Sequence, residues 1–214
     1  MSARCGTALV VVDLQNDFCT GSVAASRYDG DPETLERVSA NTALAVDAAR
    51  GAPRTEVVFV RFLGDPAHQR ASWRRRDAVL GKRPKCLEGS WGAAFHRAAP
   101  APGERVFTKR ACFDAFLDEG FEDHLRRRGI GHLVFAGLFT DVCVDSTART
   151  AFQKGLHVTV LADCTASLHL PDEQILRFMG LVYGARVTTR EEDVWTDFAP
   201  GEDAWPARHS GTRA

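Results

Sequence analysis

The sequence predicts a doubly wound α/β fold, on three observations. Apolar runs without polar alternation recur along the chain, as strands covered on both faces do. Segments with apolar residues at helical spacing lie between them. Finally, residues able to do chemistry, Asp13, Lys109 and Cys143, fall at or just beyond the ends of such runs, where open parallel sheets place their sites.

The elements follow in order. Residues 8–12 are a continuous apolar run ending at Asp13. After a loop, Asp31 caps a helix and Pro32 opens it. Leu35, Val38, Thr42, Ala45, Val46 and Ala49 face inward, and Gly51 and Pro53 end it. The second strand covers 57–63. Residues 64–103 form a long polar connection rich in glycine and proline, with one short helix around 73–79; loops of that length are usually functional or mobile. A third strand, 105–109, precedes a helix over 116–128 that turns Leu117, Phe121, His124 and Leu125 inward and stops at Gly129.

The fourth strand starts at His132 and reaches a tight turn at Gly137, beyond which Cys143 lies in the first turn of a helix. Asp141 caps that helix, Val144, Ala148, Ala151 and Phe152 form its inner face, and Gly155 ends it. A fifth strand over 156–162, a helix over 172–183 and a strand over 185–188 complete the series. One domain takes residues 1–198; residues 199–214, rich in Pro, Gly and charge, read as a tail.

At 214 residues the chain can bury a core without disulfides or metal. The net charge of -1, with Arg74–Arg76 and Arg126–Arg128 read as solvated helix faces, carries no nucleic-acid footprint. The N-terminus lacks a leader pattern and no apolar run approaches the ~20 residues of a membrane span, so a cytosolic location is expected. Six cysteines, Cys5, Cys19, Cys86, Cys112, Cys143 and Cys164, show neither a CxxC pair nor zinc-like spacing. Free thiols are expected, most of them packing as small hydrophobes, Cys164 included.

Cys143 is the exception by position. A thiol at a helix start faces unpaired N–H groups and the positive dipole end, which favours its thiolate. Asp13 can take the thiol proton and return it to a departing amine. Lys109 holds the carboxylate and supports the thiolate. The backbone N–H groups of Phe139 and Cys143 are placed to receive the oxyanion of a tetrahedral intermediate, each such donor being worth ~3 kcal/mol of barrier.

These residues carry a resemblance. Asp13-Leu14-Gln15-Asn16-Asp17-Phe18 after a strand, Lys109 before Ala115-Phe116, and Gly137 through Val144 with Thr147-Ala148 resemble the isochorismatase-like cysteine hydrolases over about residues 8–188. The resemblance implies a three-layer fold with a six-stranded, mostly parallel sheet, a Cys143–Asp13–Lys109 triad acting on amide or ureido bonds, and a cis peptide at Leu138–Phe139. It also implies a homo-oligomer. Nicotinamidases of that superfamily carry an Asp-x-His pair and further histidines after the second strand; here that stretch reads Arg61-Phe62-Leu63-Gly64-Asp65, with only His68 near, so neither metal nor cofactor is expected. Cys86-Leu87-Glu88-Gly89-Ser90-Trp91-Gly92 resembles a loop of the carbamoyl and ureido amidohydrolases.

The expected function is therefore cleavage of a small amide, lactam or N-carbamoyl C–N bond through a Cys143 acyl-enzyme. The alternatives are a vinyl-ether hydrolase driven by Asp13, which would not need Cys143, and a binding protein without catalysis. Substrate-contact candidates are Gln15, Phe18, Trp91, Phe113 and Phe139, with Gln15 also read as orienting the triad. Arg61, Arg110 and Arg149 are candidates for a substrate carboxylate, because guanidinium groups grip carboxylates bidentately. His68, His96 and His169 show no ligand spacing and receive no role.

Overall fold

Unbroken apolar runs form the middle of the sheet. In the computed structural model, which describes residues 6–28 and 30–196, the strands are β1 (Thr7–Val12), β2 (Thr55–Leu63), β3 (Arg105–Arg110), β4 (His132–Leu138), β5 (His157–Ala166) and β6 (Arg186–Thr188). All pair in parallel, in the order β3-β2-β1-β4-β5-β6. The chain runs outward from β1 through β2 to β3, then crosses back to lay β4 on the other flank of β1. The seam between β1 and β4 is thus the point where strand order reverses, and a crevice opens there beyond the carboxyl ends. Cys5 and the expected tail lie outside the described residues.

The helices are α1 (Asn16–Cys19), α2 (Ser22–Arg27), α3 (Pro32–Gly51), α4 (Ala71–Val79), α5 (Glu119–Arg128), α6 (Asp145–Gln153) and α7 (Asp172–Tyr183). In β1, Leu9 and Val11 pack on one face with Leu35, Val38, Ala45, Val46 and Ala49 of α3. Ala8, Val10 and Val12 pack on the other with α5, α6 and α7 through Phe121, Leu125, Ala148, Ala151, Ile175 and Met179. Two helical layers on a sheet buried on both faces explain why the strand sequences show no alternation.

Three local expectations are corrected. The helix expected over 116–128 is broken: Ala115–Leu117 is a 3-10 turn, Asp118 caps α5 through Gly120 N–H, and Leu117 is exposed rather than inward. Phe152 near the end of α6 is also half-exposed. Asp141 does not cap its own helix; its carboxylate accepts the Leu168, His169 and Leu170 N–H groups and so anchors the loop after β5. The connection over 64–103 holds α4 and two 3-10 turns, Pro66–His68 and Trp91–Ala93, and is fastened to the domain where the Asp17 carboxylate accepts Cys86 N–H at 2.6 Å.

Candidate active site

Three strands deliver the reacting groups. Asp13 follows β1 with φ +50°, a conformation rare outside glycine that turns the chain sharply off the strand end. Lys109 lies on β3 opposite Phe62, and Ala111, just after it, also has a positive φ of +48°. β4 ends in a cis Leu138–Phe139 peptide and passes into a π turn, Thr140–Val144, in which Val144 N–H reaches back to the Phe139 carbonyl at 3.2 Å. Cys143 sits in that turn, and Thr147 Oγ1 braces it by donating to the Cys143 carbonyl at 2.8 Å.

Lys109 Nζ donates to Asp13 Oδ2 at 2.6 Å and to the Phe113 carbonyl at 3.2 Å. Both partners of this ion pair are wholly buried, 0% and 1% exposed, so each charge depends on the other. Among the described residues, nothing hydrogen-bonds the buried Asp13 Oδ1. Burial pushes the Asp13 carboxyl above its ordinary range, with the Lys109 charge opposing that rise. For Lys109, burial acts against the ammonium, and the Asp13 carboxylate and Cys143 outweigh it, so its pKa lies above the lysine norm.

The Cys143 thiol moves in the direction opposite to the sequence expectation. Burial first and the Asp13 charge second push its pKa up, while Lys109 pulls it down. A helix-terminal position favours a thiolate most while the sulfur is solvated; here burial favours the thiol form, beside a carboxylate.

Asp13 and Cys143 line one cavity of about 300 Å3. Phe18, Phe62, Phe113, Leu138, Phe139 and Val142 form its apolar walls, with Phe18 edge-on to Phe62 and to Phe139 at centroid distances of 6.0 and 5.9 Å. Three of the substrate-contact candidates, Phe18, Phe113 and Phe139, line this cavity. Trp91 and Gln15 do not. Trp91 is 64% exposed on its 3-10 turn and does not line the cavity. Gln15 is fully buried and clamps backbone instead, donating to the Phe62 and Ala93 carbonyls at 3.0 and 2.9 Å and accepting Phe62 N–H at 2.7 Å. It positions Phe62, which forms a wall of the cavity.

The three expected arginines also lie elsewhere. Arg61 donates to Thr108, Arg110 meets His68, and Arg149 pairs with Asp145 at 2.6 Å; none lines the cavity. The basic groups that do are Arg27, Arg76, Lys82, Lys85 and His169. Sequence reasoning missed them, although the run at 74–76 was visible, because they sit on two short helices, α2 and α4, and in connections whose paths no periodicity reveals. Arg76, read as solvated, is half-buried and stacks on the Trp73 ring at 3.9 Å. Among the described residues, no group of three or more His, Cys, Asp or Glu side chains is placed to hold a metal ion, and no helix is long and apolar enough to cross a membrane.

A parallel α/β sheet whose strand ends gather a thiol, a carboxylate and an ammonium defines the class: a doubly wound protein with a thiol-centred cleft at its switch point. More particularly, the chain belongs to the isochorismatase family, since the Isochorismatase domain profile matches residues 7–192. It is 34% identical over 175 residues to the ureidoacrylate amidohydrolase RutB of Pseudomonas savastanoi pv. phaseolicola, covering 74% of this chain and 70% of that one. The N-carbamoylsarcosine amidase structure from Thermoplasma acidophilum matches with a TM-score of 0.73 at 25% identity, over 87% of this chain and 98% of that one. The nicotinamidase/pyrazinamidase PncA structure from Bacillus subtilis, at 24% identity and a TM-score of 0.69 over 86% of this chain and 99% of that one, shares the fold.

Proposed function

We propose that this protein is a cysteine amidohydrolase that cleaves a ureido or amide C–N bond through a Cys143 acyl-enzyme. The observation that carries this reading is the buried Asp13–Lys109 pair with Asp13 Oδ1 left unpartnered in the same cavity as Cys143. The kinship with RutB and with the N-carbamoylsarcosine amidase supports the bond type.

The steps follow from the charges. Asp13 accepts the thiol proton as Sγ bonds to the substrate carbonyl carbon, and the Phe139 and Cys143 N–H groups, at the two ends of the turn, receive the oxyanion. Lys109 stays charged throughout and offsets the negative charge that leaves Asp13 and passes by way of the sulfur to the carbonyl oxygen. The oxyanion collapses, the C–N bond breaks, and Asp13 gives its proton to the departing nitrogen. Water then yields a proton to Asp13 while its oxygen attacks the thioester; the C–S bond breaks and the proton returns to sulfur. A raised Asp13 pKa serves both directions of this shuttle. The free thiols fit a reducing, cytosolic setting, and the enzyme is expected to work as a homo-oligomer.

The test is release of ammonia or amine from nicotinamide, N-carbamoyl amino acids, ureidoacrylate, biuret and a lactam by wild type and Cys143→Ala. Turnover by wild type alone, with a mass adduct trapped on Cys143, is the expected result. Equal turnover by both proteins would overturn the cysteine mechanism in favour of Asp13-driven chemistry.

A further inference from the structure

The cavity that holds Cys143 shares five lining residues with a second, outer chamber, and among the described residues the charges lining that chamber share one sign. The inner space of about 300 Å3 and the outer one of about 660 Å3 share Val23, Arg27, Lys82, Lys85 and His169, and the outer chamber adds Arg83, Ser22 and Ser26. Among the described residues, no Asp or Glu lines the outer chamber. The two acids of the inner one are engaged: Asp13 with Lys109, and Asp141 with the three N–H groups of residues 168–170. Asp77, whose charge Lys82 and Lys85 both sense, is held by Arg76 at 2.6 Å.

This cationic array begins beside the reacting centre. Lys85 Nζ stands 5.3 Å from the Phe62 ring, and Lys109 Nζ stands 5.8 Å from the same ring. Burial, with Arg27 and Arg76 crowding it, holds the Lys85 ammonium below the ordinary lysine range. Like charges gathered at the mouth of a low-dielectric cleft cost free energy that a bound anion returns, and they draw anions toward it. The outer chamber is also the larger of the two, so a short ureido acid in the inner space would leave it unfilled.

We propose that the shared mouth is an anion-binding subsite, and that the substrate is an elongated ureide or amide whose carbonyl enters the inner chamber while a carboxylate or phosphate at its far end is held by Arg27, Lys82 and Arg83. The inner half of this picture rests on the amidohydrolase reading; the anion subsite does not. The Arg27 and Arg83 guanidiniums can fork onto two oxygens of such a group, and Lys82 adds a point charge. Lys85, closer to Asp13, holds the substrate's path positive between the two chambers.

The experiment compares ureidopropanoate, ureidopentanoate and ureidopropyl phosphate with the primary carboxamide of each carboxylate, on wild type, Arg27→Gln, Lys82→Gln and the double variant. In wild type, kcat/KM for carboxylate over carboxamide should exceed about tenfold, a ratio typical of one charge-assisted contact, and be larger for the longer acid. The double variant should collapse that ratio toward one, whatever its absolute rate. A ratio near one in wild type, or one unchanged in the double variant, would overturn the subsite; a phosphate advantage would assign the anion as phosphate.

Calorimetry on Cys143→Ser with the same compounds separates the two readings. Salt-sensitive anion binding that disappears with Arg27→Gln and Lys82→Gln, without turnover by wild type, would uphold the subsite and refute the amidohydrolase. Binding that does not distinguish carboxylate from carboxamide would refute the subsite, even if amides are hydrolysed.

Discussion

Asp13 and Cys143 oppose each other at rest and, in the mechanism proposed above, cooperate in reaction. The carboxylate raises the thiol's pKa by its charge, yet in that mechanism it is also the acceptor for the thiol's proton. Asp13→Asn separates these two effects. Without the proton shuttle, amide turnover should fall by about 10²–10⁴-fold, the usual worth of a positioned acid–base group. Without the carboxylate charge, Lys109 acts on the sulfur alone, so the thiolate population rises and iodoacetamide should alkylate Cys143 faster at neutral pH than in wild type. Alkylation slower than in wild type would mean that the thiolate forms only through the carboxylate, and the electrostatic account would be wrong. At this scale the sequence showed Asp13, Lys109 and Cys143 because each sits at or just beyond a strand end. It did not show Arg27, Lys82 or Lys85, whose placement depends on how α2 and the connection over 64–103 fold across the mouth, nor that Gln15 turns its amide into backbone rather than toward substrate.

The seam between β1 and β4 sets the distance between the two reacting groups, and Gly137 sets the seam. It pairs with Val12 at φ +110°, and a side chain there would collide with the Val12 carbonyl oxygen. Gly137→Ala therefore meets both a forbidden conformation and a backbone obstacle, with no flexible group able to yield. A loss of about 3 kcal/mol or more in urea-monitored unfolding is expected, together with reduced turnover as Cys143 shifts away from Asp13. A loss below about 1 kcal/mol would show that the seam can open without harm. Element types were legible where a periodic pattern was long: all six expected inward residues of α3 are buried, and α7 has its expected bounds. The pattern misled where an element was short or broken, because Leu117 belongs to a separate turn before α5 and Phe152, at the end of α6, touches the Tyr183 ring while remaining half-exposed.

Across the molecule the sheet has two polar ends of opposite character. Its carboxyl end holds a charged pair and a thiol; its amino end holds His132, wholly buried between Thr7 and Thr159. Burial pushes the His132 pKa down to about 3, so the imidazole stays neutral in the native state over most of the acidic range. The unfolded chain takes up that proton near pH 6.5. Between these two values the unfolded state binds more protons, so the stability owed to His132 is complete above about pH 6.5 and is lost progressively as pH falls toward about 3, about 5 kcal/mol in all. Asp13, whose pKa is raised, has the opposite slope: the stability it owes to burial in its protonated form is present at low pH and lost as pH rises through its folded value. Ordinary carboxylates are mostly ionised above about pH 5, so the window from there to 6.5 belongs chiefly to histidine. In that window the unfolding free energy of wild type should fall about 1.4 kcal/mol per pH unit more steeply than that of His132→Asn, measured by urea denaturation at a series of pH values. Parallel curves would mean that His132 is protonated in place and that the three central strands tolerate a charge between them.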